Sequence, residues 1–226
     1  MIYIYGTCFS YNYKNSKPHA WYIRLQKYFR CEARNYSFNG VSFEWCFSKI
    51  DRTKHLWKPN DVILFTEPDL NRKWFFKRYP GISHADRISN TDRLSQQDKD
   101  FALLWLENYY NPRVEFLNLK AHYSLMNQSL HEKDVKCFVM QGYDRPYLAD
   151  LSNISFSKGI TLSVISNQEI KNYDKDELCG ENFGRITHFS RENHIILAQQ
   201  IYKAIKTDSN IDLSVDFERG IYEIPS

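Results

Sequence analysis

The chain has 226 residues and a mass of 27.0 kDa, a length that suits one α/β domain or two small ones. Its composition is 42% hydrophobic and 25% charged, which excludes a disordered polar tract. Because 30 basic residues nearly balance 27 acidic ones, the net charge of +3 gives no electrostatic reason to expect a nucleic-acid partner.

Membrane and metal chemistry are not predicted either. No apolar run approaches the roughly 18 residues that a membrane span needs, and the start, Met-Ile-Tyr-Ile-Tyr-Gly, lacks the basic-then-apolar layout of a signal peptide. We therefore expect a cytoplasmic protein without a membrane partner. The five cysteines show no C-x-x-C spacing, so we predict no disulfide framework, no metal site and no cofactor.

Strand and helix patterns alternate through the first part of the chain. The sequence predicts strands over Ile2–Tyr5, Cys31–Tyr36 and Asp61–Thr66, and helices over Ala20–Phe29 and Val41–Ile50. The unbroken apolar run of the third strand is typical of a central strand covered on both faces. Strand–helix–strand–helix–strand order within about seventy residues predicts an α/β fold with a parallel sheet.

The middle of the chain is less regular. A polar stretch over Ile82–Asp98 predicts a loop or lid, and Lys99–Tyr110 predicts a helix. Alternating residues over Val114–Leu119 predict a strand, followed by a helix over Ala121–His131 and an apolar strand over Val135–Gln141.

The last part contains one clear element. Ser152–Ile170 has weak β character, whereas Arg191–Ile205 carries a helical apolar stripe with Ser190 as its predicted N-cap. The tail, Thr207–Ser226, is polar with a few apolar residues that dock or fray.

The first candidate site is the turn that follows the first strand, Gly6-Thr7-Cys8-Phe9-Ser10. Ligands of open parallel sheets bind outside the carboxyl ends of the strands. A cysteine between a strand and a helix meets backbone N–H donors and a helix dipole, both of which favour the thiolate. A thiolate also needs a proton shuttle, and of the seven histidines His188, in the segment before the last helix, is best placed. Cys8 or His188 alone would more often be a packed interior residue, so the prediction of a site depends on the two occurring together.

Four segments, in order, resemble sequence blocks of the SGNH (GDSL-like) hydrolases, especially the compact versions found in phage genomes. Residues 6–10 resemble the first block, and Asn35–Ser42 resembles the second, in which Gly40 would donate its backbone N–H to the oxyanion. Residues 61–72 occupy the place of the third block, and 188–194 resemble the block with the catalytic histidine. The resemblance implies a three-layer α/β/α fold with a central parallel, flavodoxin-like sheet.

The resemblance also implies a domain division and a setting. It covers about the first 75 residues and the segment around the last helix. A single domain over 1–206 with a variable insertion around 82–180, and a C-terminal tail over 207–226, is therefore expected. A phage-encoded protein of this type would act in the host cytoplasm or in the virion.

Three positions depart from the family. Cys8 stands where the family has its nucleophilic serine, and sulfur is a competent nucleophile. The acidic partner of the histidine is replaced by Arg185, a loss that elsewhere costs about 10⁴ in rate. A backbone carbonyl or an acidic residue within 174–181 would have to replace it. Pro68 stands at the place of an oxyanion asparagine, whose loss typically costs about 10² to 10³, with Asn71 as a possible replacement.

The leading hypothesis is a hydrolase or acyl transferase acting on an ester or O-acyl group of a small molecule or carbohydrate. Its predicted site residues are the catalytic pair Cys8 and His188, the oxyanion donors Cys8, Gly40 and Asn71, and the substrate-binding residues Arg72 and Ser10.

Two other hypotheses remain open. One is a catalytically inactive protein of the same fold that binds a protein partner or has a structural role in a phage particle. The other is a nucleic-acid module built on residues 71–79, which mix basic and aromatic side chains. The same segment also fits an amphipathic helix with its aromatic side chains inward.

Overall fold

A computed structural model describes residues 1–10, 20–70, 72–74, 88, 94–142, 151–162, 165, 189, 191–214 and 217. Within these residues the strands are β1 (Ile2–Gly6), β2 (Ala33–Asn35), β3 (Val62–Thr66), β4 (Lys136–Met140) and β5 (Ile154–Phe156). The helices are α1 (Trp21–Phe29), α2 (Phe43–Thr53), α3 (Gln96–Asn108), α4 (Pro112–Lys133) and α5 (Arg191–Thr207), and a short 3-10 turn, Lys54–Leu56, follows α2.

The five strands form one parallel sheet in the order β2-β1-β3-β4-β5. The prediction of an α/β fold with a central parallel sheet is therefore confirmed, and the strand order is the flavodoxin-like one. From β1 the chain turns to one side to form β2 and then crosses to the other side to form β3. The carboxyl ends of β1 and β3 consequently mark the topological switch point, where such sheets bind ligands.

Helices cover both faces of the sheet and create two separate cores. Successive side chains of a strand point to opposite faces, so β1 sends Ile2 and Ile4 to one core and Tyr3 and Tyr5 to the other. The first core is completed by apolar residues of α1 and α5, among them Trp21, Leu25, Leu197, Ala198 and Ile201. The second is completed by residues of α2 and α4, among them Cys46, Phe47, Ile50, Tyr123 and Met126. Double coverage explains why the central strands β1, β3 and β4 are apolar at most positions.

The predicted strand over Val114–Leu119 is wrong, because this segment belongs to helix α4. Asn111 caps the helix: its side-chain oxygen accepts hydrogen bonds from the backbone N–H groups of Arg113, at 3.0 Å, and Val114, at 3.4 Å. Pro112 occupies the first helical position, where a missing N–H costs nothing. These local start signals outweigh the alternating apolar pattern that follows them.

The helix predicted over Ala121–His131 begins earlier, at Pro112, and the other predicted strands and helices with described residues agree with the structure to within a few residues. The strands β4 and β5 fall within the predicted insertion around 82–180 and complete the sheet. Beyond the last helix, Ile211, Leu213 and Phe217 are buried in the first core. Of the segment 71–79 only residues 72–74 are described, and they are not helical. None of the helices in the described residues is both long and apolar enough to cross a membrane.

We predict that Gly6→Ala destabilises the fold strongly. Gly6 has a φ of +132°, and a Cβ atom there would lie 2.2 Å from the backbone oxygen of Thr66 in the neighbouring strand. Strain and overlap together should lower the free energy of unfolding by about 3 kcal/mol or more, as measured by urea denaturation.

Gly40→Ala is the matched control. Gly40 also has a positive φ, of +72°, but a Cβ atom there would come no closer than 4.0 Å to a heavy atom of the described residues beyond its chain neighbours. Alanine at this position should introduce only backbone strain, which lowers the free energy of unfolding by about 1 to 2 kcal/mol. Equal losses for the two variants would contradict the steric explanation.

Candidate active site

The candidate site is the turn over Thr7–Ser10, directly after β1 at the switch point. Gly6 is the last residue of β1 and pairs in register with Thr66, the last residue of β3. The turn closes with a hydrogen bond from the Ser10 backbone N–H to the Thr7 carbonyl, at 3.1 Å. The sequence prediction placed a site in this turn, and the sheet topology places the turn at the edge where ligands bind.

Hydroxyl and amide groups from the adjacent strands hold the turn in place. The buried Ser10 hydroxyl hydrogen-bonds with the hydroxyls of Thr66, at 2.6 Å, and Ser37, at 2.7 Å. The Thr7 backbone N–H donates to the Thr66 hydroxyl at 3.2 Å, and the Asn35 side chain donates to the Ser10 carbonyl at 2.6 Å. Ser10, predicted to bind substrate, thus has its hydroxyl engaged in positioning the turn.

The Cys8 side chain lies within this turn and is 3% exposed. The Thr7 hydroxyl donates a hydrogen bond to the Cys8 sulfur at 3.3 Å. A hydrogen bond donated to sulfur favours the thiolate over the thiol, because the charged form is the stronger acceptor. The Thr7 hydroxyl is thus placed to stabilise negative charge on the Cys8 sulfur.

Arg72 brings a positive charge to the same turn. Its residue surface is only 8% exposed, and its guanidinium Nη1 donates to the Thr7 hydroxyl at 3.5 Å. Nη1 also lies 4.0 Å from the point where a Cβ atom of Gly40 would be. Arg72 therefore contacts the turn that carries Cys8, and Gly40 is a neighbour of Arg72.

The segment before the last helix meets the turn through aromatic contacts. Phe189, which follows His188 in the sequence, stacks on Phe9 with the ring centroids 5.6 Å apart. The Trp21 indole N–H donates to the Phe9 carbonyl at 3.0 Å, and the Trp21 backbone N–H donates to Nδ1 of His194 at 3.4 Å. The start of α5, the start of α1 and the Cys8 turn therefore pack together.

The predicted site residues His188 and Asn71 lie outside the described residues, as do Arg185 and the predicted N-cap Ser190. Of the remaining predicted residues, the structure brings together those on the turn and those near its carboxyl edge, namely Cys8, Ser10, Gly40 and Arg72.

Glu67 is a carboxylate of this edge to which the sequence prediction gave no role. It is the first residue after β3 and is 1% exposed. The Tyr123 hydroxyl, from α4, donates to Glu67 Oε1 at 2.5 Å. Its position directly after the clearest predicted strand was the available signal, because buried carboxylates are rare and need specific partners.

Lys73, the neighbour of Arg72, has a different environment. It is 7% exposed as a residue, and its ammonium group forms ion pairs with Glu44, at 3.1 Å, and with Glu115. These three side chains line a small cavity of about 50 Å³ between α2 and α4. Two carboxylates thus balance the Lys73 charge. Within the part of the chain that the structure describes, no three metal-ligating side chains are grouped to hold an ion.

The other described cysteines do not belong to this turn. Burial raises the pKa of the Cys46 and Cys137 thiols above the ordinary value, so both stay protonated near neutral pH. Both side chains are fully buried in the second core. Cys31 is partly exposed and follows α1. Of the described cysteines, Cys8 is the one that lies on the turn directly after β1.

Comparisons with known proteins find similarity among solved structures. No model of a known protein family matches the sequence, and no curated protein matches it significantly. Among solved structures, the crystal structure of protein YxiM from Bacillus subtilis matches with a TM-score of 0.46 and 12% identity. The match covers 92% of this chain and 56% of that one, so this chain spans little more than half the length of YxiM. The fold class rests on the sheet topology described above.

We predict that Tyr123→Phe destabilises the protein by about 2 kcal/mol, because the buried Glu67 carboxyl loses the donor from α4. Thermal or urea unfolding measures the effect. Tyr109→Phe is the control: Tyr109 is 70% exposed, and removing its hydroxyl should cost less than about 0.5 kcal/mol. A Tyr123→Phe variant as stable as the control would show that this hydrogen bond has no net value.

Proposed function

We propose that the protein is an SGNH-like hydrolase or acyl transferase in which Cys8 is the nucleophile and His188 the general base. The observation that supports this best is the stacking of Phe9 on Phe189. It joins the residue after Cys8 to the residue after His188, at the switch point of a flavodoxin-like sheet. The order of sequence blocks that resembles this family gives the same pairing.

The proposed reaction proceeds through a thioester. His188 takes the proton of the Cys8 thiol, and the sulfur attacks the carbonyl carbon of the ester. A C–S bond forms while the carbonyl π electrons move to oxygen, where the backbone N–H groups of Cys8 and Gly40 would stabilise the charge. Collapse of this intermediate breaks the C–O bond, and the leaving alkoxide takes the proton from His188.

The second half of the reaction regenerates the thiol. His188 removes a proton from water, which attacks the thioester carbonyl, and the C–S bond breaks with return of the proton to Cys8. With an alcohol in place of water the same steps give acyl transfer. The substrate we propose is an ester or O-acyl group of a small molecule or carbohydrate.

The first test is selective alkylation of the protein by iodoacetamide. Because the thiolate is the reacting form, Cys8 should be modified at least about ten times faster than Cys46 and Cys137, whose pKa values are raised by burial. Peptide mass spectrometry after short exposures measures the rates within one molecule. Modification of Cys8 as slow as that of Cys46 would contradict a reactive sulfur.

The second test is hydrolysis of a short-chain nitrophenyl ester. Cys8→Ala should lower kcat by at least about 10³, because the covalent route is lost, and His188→Gln should have a similar effect. Cys31→Ala, which removes a partly exposed thiol elsewhere, should leave the rate unchanged. Full activity of Cys8→Ala would overturn the mechanism.

The competing hypothesis of a non-catalytic protein is favoured by one observation. Cys8 is 3% exposed, which leaves little of its side chain open to solvent. If wild type shows neither ester turnover nor preferential Cys8 alkylation, while Cys8→Ala keeps the biological activity of the protein, then a binding or structural role replaces the hydrolase proposal.

A further inference from the structure

We infer that Arg72 supplies the positive charge that stabilises negative charge beside Cys8, first on the sulfur and then on the carbonyl oxygen of the substrate. This inference rests on the proposed function for the second of these charges. The first is a property of the folded protein alone, so the two can be tested separately.

The charge balance of Arg72 is the first argument. A buried cation is costly unless an anion or several hydrogen bonds compensate it. Lys73 has two carboxylates, whereas no described carboxylate forms an ion pair with Arg72, although both residues are more than nine-tenths buried. The two neighbouring cations are almost equally buried, but the described residues supply carboxylates to Lys73 and none to Arg72.

The direction of the hydrogen bonds is the second argument. Arg72 Nη1 donates to the oxygen of the Thr7 hydroxyl, so that hydroxyl directs its own hydrogen to the Cys8 sulfur. A donor whose oxygen is already polarised by a cation is a stronger donor, and donation to sulfur favours the thiolate. Arg72 thus acts on the sulfur through a single intervening group.

The third argument is the location of the developing oxyanion. The attack by sulfur transfers a pair of electrons to the carbonyl oxygen, which must lie between the Cys8 turn and the Gly40 segment if both backbone groups are to stabilise it. Arg72 Nη1 is adjacent to both, at 3.5 Å from the Thr7 hydroxyl and 4.0 Å from the Cβ point of Gly40. Pro68 has no N–H and cannot donate there. Arg72 is therefore placed to donate to the oxyanion directly, as a catalytic residue.

Other titratable groups of this edge set the background for the thiol. They are Cys46 and Glu44 on α2, Glu67 and Asp69 after β3, and His194 on α5. Three of the five are carboxylates, which oppose a thiolate, so the cationic effect of Arg72 should be visible above this background.

The experiment compares Arg72→Gln with Arg34→Gln. Arg34 lies in β2 with its side chain 40% exposed. Its substitution changes the net charge by the same amount as Arg72→Gln and removes no contact with the Cys8 turn. The Cys8 thiolate is titrated by ultraviolet absorbance, as the difference between each protein and the same protein with Cys8→Ala. Arg72→Gln should reduce the thiolate fraction near pH 7 by about tenfold, which corresponds to a rise of one unit in the pKa of Cys8. Arg34→Gln should leave it unchanged.

Steady-state kinetics with a neutral nitrophenyl ester give the second readout. Arg72→Gln should lower kcat by about 10² to 10³ with KM altered less than about threefold, because the lost donor acts on the transition state. Arg72→Lys should recover part of kcat through its charge. Circular dichroism and urea unfolding check that each variant is folded, and a variant that does not fold is replaced by Arg72→Met.

Two results would overturn the inference, and a third would overturn the proposed function instead. An unchanged Cys8 titration in Arg72→Gln removes the effect on the sulfur. An unchanged kcat with neutral esters, combined with a raised KM for esters that carry a carboxylate, would make Arg72 a binding residue for anionic substrates instead. If wild type has no ester turnover at all, the proposed function fails, and the thiol titration alone then decides whether Arg72 stabilises charge at Cys8.

Discussion

The candidate site depends on the close approach of two backbone segments, the end of β1 and the end of β3. Gly6 lies so near Thr66 that any side chain would overlap its backbone oxygen, and this contact sets where the chain leaves the sheet. The hydroxyl of Thr66 then holds both the Thr7 N–H and the Ser10 side chain. One register in the sheet, Gly6 opposite Thr66, therefore fixes the direction of the turn that carries Cys8.

The distribution of charged groups follows from the presence of a hydrophobic core on each face of the sheet. Because helices cover both faces of the sheet, polar and charged groups are confined to its edges. Near the carboxyl edge Glu67 has a hydroxyl donor and Lys73 has two carboxylates. Arg72 forms no ion pair with a described carboxylate, and it contacts the turn itself. This uneven distribution of charge among the described residues is the basis for proposing that the site stabilises an anion.

The fold could be predicted from the sequence because most of its elements have strong local signals. Burial of β3 produces an unbroken apolar run, and burial of one face of α5 produces an apolar stripe with the helical period. Both patterns can be recognised in the sequence. The prediction for the segment after Asn111 was wrong because it relied on the alternating residues. The N-cap and Pro112, which control where a helix begins, were given less weight. The strand order could be inferred only through the family resemblance, since parallel pairing joins residues that are distant along the chain.

The site was predictable in part, for a related reason. Cys8 and Gly40 stand in short motifs next to strands, and such motifs can be recognised in the sequence alone. The contact of Arg72 with Thr7 depends on how the chain returns after β3, which no local pattern records. Glu67 was overlooked because a carboxylate after a strand is usually solvated, and only the packing of α4 shows that this one is buried.

Two departures from the SGNH pattern, cysteine in place of serine and arginine in place of the acid, are consistent with each other if Arg72 has the role proposed above. A serine hydroxyl cannot ionise near neutral pH, so it needs a histidine that an acid orients. A thiol has an ordinary pKa near 8.5, close enough to neutrality for a nearby cation to favour the thiolate. A chain with arginine at the place of that acid, at position 185, would therefore lose much more with serine at position 8 than with cysteine. In the proposed mechanism, the sulfur nucleophile, the arginine at position 185 and a guanidinium that has no ion pair among the described residues form a consistent set, in which positive charge beside Cys8 would take over part of the work of a carboxylate.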